Sequence, residues 1–194
     1  MALRNSTDAW GWPARLLHWS MALLILGLVC VGLYMVEFLG DDSDSLMQRF
    51  ELTQTHKSFG FVAFVLALVR IVWRWMNPTP ELPDMSRLNK ALAHGGHLAL
   101  YICMIALPIS GWLMASASPY NDPDAYFVVK NMVFGLFELP DPYPKGDEAL
   151  TKLLGQIHFY IAMALVAILT GHIAAALKHH FVDQDSVLRR MLRG

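Results

Sequence analysis

Histidine carries most of the chemistry open to this chain, and two of its eight histidines, His158 and His172, stand on one stretch, residues 157–177, that holds no formal charge over 21 residues. At ~100° and ~1.5 Å per residue, the fourteen steps between them leave the two imidazoles within about 40° on one helix face and roughly 21 Å apart along it. An imidazole in hydrocarbon costs free energy unless a partner satisfies it, so an intramembrane histidine points to function before packing. Each of the two therefore calls for a partner on another element.

The elements that must position them follow from composition. Of 194 residues, 55% are hydrophobic and 16% charged, too apolar and too poor in charge for an ordinary soluble domain. Four segments, about 14–36, 58–76, 97–117 and 157–177, approach the ~20 residues that a ~30 Å hydrocarbon slab requires. The expected fold class is an all-α membrane protein, a four-helix transmembrane bundle forming one domain over residues 1–194. The first segment is too long for a secretory leader and has no small-residue cleavage pattern, so it reads as a true span. Lys and Arg number ten in the amino terminus, second loop and carboxyl tail against five in the other two loops, which places both termini in the cytoplasm. Trp10, Trp12, Trp19, Trp73 and Trp75 gather at the inner boundary expected on that basis, and Trp112 near the outer one.

Sorted by depth, His56 and His158 stand at the outer level, while His18, His94, His97, His172, His179 and His180 form an inner set. Two imidazoles from different helices at one depth suit the two axial positions of a haem iron held in a bundle. Zinc would want three or four ligands, which the outer level does not offer. Cys30 and Cys103 lie alone in separate spans, outside any Cys-x-x-Cys-His sequence, so a haem here would be non-covalent. A porphyrin lying beside its ligand needs a small residue about one turn away on the same face. Position i+4 is Ala22 from His18, Gly60 from His56, Ala162 from His158 and Ala176 from His172, but Leu98 from His94, Tyr101 from His97 and Asp183 from His179. The pattern favours His18 with His172 at the inner level and leaves His97 as the rival of His172.

Around these pairs, Arg70 and Arg74 share one face at the inner end of the second span, where they either snorkel to the headgroups or neutralise an anionic group such as a haem propionate. His94 precedes and His97 opens the third span at the inner interface, and Pro108 should kink that span. Pro123, Pro140, Pro142 and Pro144 rule out a continuous helix in the third loop, whose apolar part, 127–139, reads as a surface-lying segment or a cap over something bound beneath. Arg189, Arg190 and Arg193 read as an inner-leaflet anchor. A net charge of −1 without a basic stripe gives nucleic-acid binding no support.

Five motifs in order carry a family resemblance: Trp-Pro-x-Arg-Leu-Leu-His-Trp at 12–19, His-Lys-Ser-x-Gly at 56–60, Arg-x-x-x-Arg at 70–74, Ala-His-x-x-His at 93–97 followed by Leu-Pro-x-x-Gly at 107–111, and Gly-His with a later His-His-Phe at 171–181. Over nearly its whole length the chain resembles the prokaryotic cytochrome b-561 family, related to the cytochrome b subunits of nickel–iron hydrogenases. The resemblance implies a multi-pass protein of the bacterial inner membrane with two non-covalent haems b, exchanging electrons with ubiquinone or another quinone of the membrane pool. It implies axial ligation by His18, His56, His158 and His172, and associates the position of His179 with a cytoplasmic-side quinone. One member of that family is known as a superoxide oxidase.

The expected function is thus electron transfer across the membrane between an outer-side donor, with superoxide as one candidate, and quinone, which would make the chain a superoxide:quinone oxidoreductase. His179, seven residues beyond His172 on the same face, together with His97, Arg70 and Arg74, supplies the candidate quinone or propionate contacts. Eleven acids against five bases in the outer loops make a poor field for attracting an anion, Lys57 being the local exception. A haem-bearing anchor that relays electrons for a separate oxidoreductase is the alternative. A metal or solute transporter is disfavoured by the absence of a broken half-helix pair and of an intramembrane carboxylate.

Overall fold

The computed structural model describes residues 2–126, 128–143 and 145–194; Phe127 and Pro144, both named above, lie outside the described residues. Four long helices dominate: α1 (Trp12–Glu37), α2 (Ser43–Met76), α3 (Arg87–Ser116) and α4 (Glu148–Phe181). Each is long and apolar enough to cross a membrane. A short fifth helix, α5 (Val187–Arg193), follows, and a two-stranded antiparallel hairpin, β1 (Met132–Val133) with β2 (Phe137–Glu138), lies between α3 and α4.

Three of the helices start well before the apolar stretches that announced them, because their first turns are polar and held by caps. Asp42 accepts the Ser45 amide at 3.0 Å, Ser86 Oγ that of Asn89 at 3.2 Å, and Asp147 that of Leu150 at 2.9 Å, each satisfying an amide that an uncapped helix start leaves free. An ion pair between Glu148 and Lys152 at 2.7 Å adds to the first turn of α4. Charges at Asp44, Arg49, Glu51 and Lys57 hide this part of α2 from a hydropathy reading. His56 accordingly sits inside a helix and not at the mouth of one, and the loop before α2 shrinks to a few residues closed by Arg49, which donates to the carbonyls of Leu39 and Gly40. α3 stays helical through Pro108.

The described residues form two compact units: Met1–Leu23 with Val65–Cys103 and Ala164–Gly194, and Leu24–Phe64 with Met104–Met163. In the first, the amino-terminal segment, the linker after α2 and α5 are tied together. Asn5 donates to the Pro78 carbonyl and accepts from Gly11, Trp19 Nε1 donates to the Met191 carbonyl, Arg15 to that of Leu192, and Arg190 to that of Glu81. Gly11 has to be glycine, since a Cβ there would stand 2.5 Å from the Leu3 carbonyl oxygen. In the second unit the hairpin covers one turn of α2: the Phe134 amide donates to Ser58 Oγ at 2.9 Å, and Phe134 and Phe137 meet Phe59 and Phe61 edge to face. The apolar loop segment, expected to lie on the membrane surface or to cap a site, thus packs against the residues that follow His56. Asp122 accepts the amides of Asp124 and Gly146, which hold its carboxyl below the ordinary carboxylate range. Cys30 and Cys103 are both free thiols.

Candidate functional site

In the second unit, His56 of α2 and His158 of α4 face one another with ring centroids 6.4 Å apart and planes at 76°. In the first, His18 of α1 and His172 of α4 stand 6.3 Å apart at 62°. Two imidazoles bonded from opposite sides to one metal at ~2.0 Å, each with its centroid about 1.15 Å behind the bonding nitrogen, would stand about 6.3 Å apart. Both pairs therefore have the spacing of axial ligands. His97 also approaches His172, at 5.4 Å and 79°, about 0.9 Å short of that requirement.

The surroundings of the second-unit pair are small residues and defined acceptors. A Cβ at Gly32 of α1 would meet His56 Cε1 at 3.5 Å, and one at Gly111 of α3 would meet His158 Cε1 at 3.2 Å, so each ring lies against a glycine of a neighbouring helix. Gly60, one turn beyond His56, faces open space. His158 Nδ1 lies 3.1 Å from the Leu107 carbonyl oxygen and 3.0 Å from Ser110 Oγ. A carbonyl only accepts, so Nδ1 carries the proton and Nε2 keeps the lone pair that a metal takes. His56 Nδ1 is buried without a hydrogen-bond partner among the described residues, so no acceptor or donor there fixes the ring's tautomer and Nε2 is free to carry the lone pair. The donor set fits an iron held by two neutral imidazoles.

Charge enters beside the first-unit pair. Arg70 Nη2 lies 3.0 Å from His18 Nδ1, and its Nε donates to Tyr101 Oη at 3.2 Å, while the guanidinium groups of Arg70 and Arg74 both lie 5.8 Å from the Tyr101 ring centroid. Arg70 thus turns towards the histidines and does not snorkel away from them. A guanidinium only donates, so His18 Nδ1 accepts here. Tyr101, which organises both arginines, entered the sequence reading only as a bulky neighbour of His97; its place one turn after that histidine was the available signal. His94 and His97 each donate Nδ1–H to the carbonyl one turn back, Lys90 and Ala93, at 2.7 Å.

At the end of α4, His179 Nδ1 lies 2.6 Å from Asp185 Oδ2 and 3.3 Å from Asp183 Oδ2. Asp185 is fixed by the Val187 amide on its other oxygen, and Asp183 is held by Lys178 at 2.6 Å. In the second unit, Lys57 donates to Asn131 Oδ1 at 3.1 Å, and Asn131 in turn to Asp141. Nothing in the sequence pattern identified Asn131 or Asp185 as partners, because both lie in loops whose course only the fold determines.

Comparison with known proteins accords with this arrangement. A family model described as prokaryotic cytochrome b561 matches residues 9–194. Cytochrome b561 homolog 2 of Escherichia coli K12 is 32% identical over 193 residues, covering 99% of this chain and 95% of that protein. A Yersinia pestis protein named probable superoxide oxidase CybB is 31% identical over 91% of both chains, and cytochrome b561 homolog 1 of Escherichia coli K12 is 25% identical over 91% of this chain and 92% of its own. With four membrane-spanning helices and paired intramembrane histidines, the chain belongs to the prokaryotic cytochrome b561 family of haem-bearing, electron-transferring membrane proteins.

Proposed function

We propose that the chain holds two haems b and moves electrons between a one-electron donor on the outer side and membrane quinone, as an integral protein of the bacterial inner membrane with both termini cytoplasmic. The observation that carries the reading is the recurrence of one imidazole separation, 6.4 Å for His56 with His158 and 6.3 Å for His18 with His172, at the value two axial ligands require. His56 and His158 hold the outer haem, His18 and His172 the inner one. Haem supplies one-electron exchange between ferric and ferrous iron, and the protein's part is to fix position and potential.

The chain's own residues then have separable tasks. Iron bound at His18 Nε2 requires a proton on Nδ1, so Arg70 has to give up that nitrogen and, with Arg74, serve the propionates as a charge-assisted donor. His97, its Nδ1 tied to Ala93, neighbours this site without ligating. His179, its Nδ1–H donated to Asp185, keeps one defined tautomer at the cytoplasmic end of α4 and leaves its Nε2 lone pair to accept a quinol hydroxyl. Protons for quinol formation come from the cytoplasm on this reading.

Superoxide is the donor we favour, because the Yersinia pestis relative is named for that activity and because Lys57, next to His56 in sequence, sets a cation among acidic outer loops. The test is to reconstitute the purified protein in quinone-containing vesicles, generate superoxide outside them, and follow cytochrome reduction and quinol formation. Reduction of both, abolished by superoxide dismutase, is expected. Quinol formation unaffected by the dismutase would remove superoxide from the reading.

A further inference from the structure

The two outer histidines differ in what stands behind them. His56 Nδ1 has no partner among the described residues, whereas His158 Nδ1 has two, the Leu107 carbonyl at 3.1 Å and Ser110 Oγ at 3.0 Å. Ser110 also donates its own hydroxyl hydrogen to Leu107 at 2.9 Å, which leaves its oxygen lone pairs for His158 Nδ1–H. Gly111, next along α3, has no Cβ to block the approach; one added there would stand 3.4 Å from Nδ1 and 3.2 Å from Cε1. Three of the five positions in the Leu-Pro-x-x-Gly motif thus receive one face of His158. Ser110 is 6% exposed, so water does not replace its hydroxyl.

Resting on the reading that His56 and His158 hold the outer haem, we propose that Ser110 is a positioning residue that lowers the redox potential of that haem through its hydrogen bond to His158. An acceptor on the distal nitrogen of an axial imidazole draws the Nδ1 proton outward and makes Nε2 a stronger donor. A stronger donor favours ferric over ferrous iron. With the hydroxyl gone, Leu107 remains as an acceptor, so the effect is partial. The serine's hydrogen bond to its own helix would alone account for a hydroxyl here, and the two roles separate in the potential.

The experiment is a spectroelectrochemical titration of the purified full-length protein, with haem content measured alongside. Ser110→Ala should keep both haems, leave the inner potential unchanged and raise the outer one by about threefold in the ferric/ferrous equilibrium, about 30 mV at 59 mV per tenfold for one electron. Ser110→Thr, which keeps the hydroxyl and the same helix bond, should restore the parent value; Ser110→Cys, a weaker acceptor, should shift it upward by less. His158→Ala, run in the same series, assigns the outer signal by deleting it. An unchanged or lowered outer potential in S110A, a S110T value that follows S110A, or loss of the outer haem in S110A overturns the tuning role while the ligand assignment stands. Two haems remaining in H158A overturns that assignment, and the tuning role with it.

Discussion

Replacing His97 with alanine should leave the inner haem in place, whereas His172→Ala or His18→Ala should abolish it, halving haem content from two per chain to one. The magnitude follows from the ring separations. An iron between His18 and His172 needs about 6.3 Å between centroids and finds 6.3 Å; one between His97 and His172 finds 5.4 Å and would have to drive the rings apart by about 0.9 Å. His97 is moreover drawn back along α3 by its bond to the Ala93 carbonyl at 2.7 Å, which that displacement would strain. Haem-to-protein ratio by pyridine haemochrome, with a redox titration to say which haem is missing, reads the outcome. Ala176→Leu, which fills the space one turn beyond His172, should also expel the inner haem. Loss of the inner haem from H97A with retention in H172A or in H18A would refute the assignment and make His97 the ligand.

His56→Ala and His158→Ala should each remove the outer haem and leave the inner one, since the two pairs share no residue; haem content and titration amplitude check this. Arg70→Gln should keep both haems but lower the inner potential by about 60 mV, a tenfold change in the one-electron equilibrium, because a cation at the inner haem's propionates favours the less positive ferrous iron. Loop protection at Gly146 depends on Asp122, whose folded pKa is depressed by the amides of Asp124 and Gly146. Its contribution is present above the unfolded carboxylate pKa of ~3.9 and lost as pH falls through the lower folded value, so amide exchange at Gly146, corrected for its intrinsic pH dependence, should be flat from pH 7 to 5 and rise only below about 4.

The helices and the histidine pairing were legible because both depend on local pattern. Apolar runs near bilayer length give the spans, and a fixed rise per residue turns positions such as 158 and 172 into depths. Helix starts were not legible where caps and charges replace hydropathy: His56 seemed to stand at the mouth of a span, and the structure puts it in the fourth turn of α2, behind Asp42 and Ser43. The small-residue pattern along each helix favoured His18 with His172, rings that stand 6.3 Å apart, yet the glycines that touch His56 and His158, Gly32 and Gly111, come from neighbouring helices, a matter of tertiary packing that spacing cannot express. Arg70 shows the same boundary. Its face on α2 was readable, but its choice of His18 and Tyr101 over the headgroups depends on where α1 and α3 lie.

The two-haem assignment meets its most direct test in a pyridine haemochrome measurement on the purified protein, made before and after acid–organic extraction. Two haems b per chain, all leaving the polypeptide on extraction, is the expected result. A ratio near one, or colour retained on the denatured chain, would contradict it.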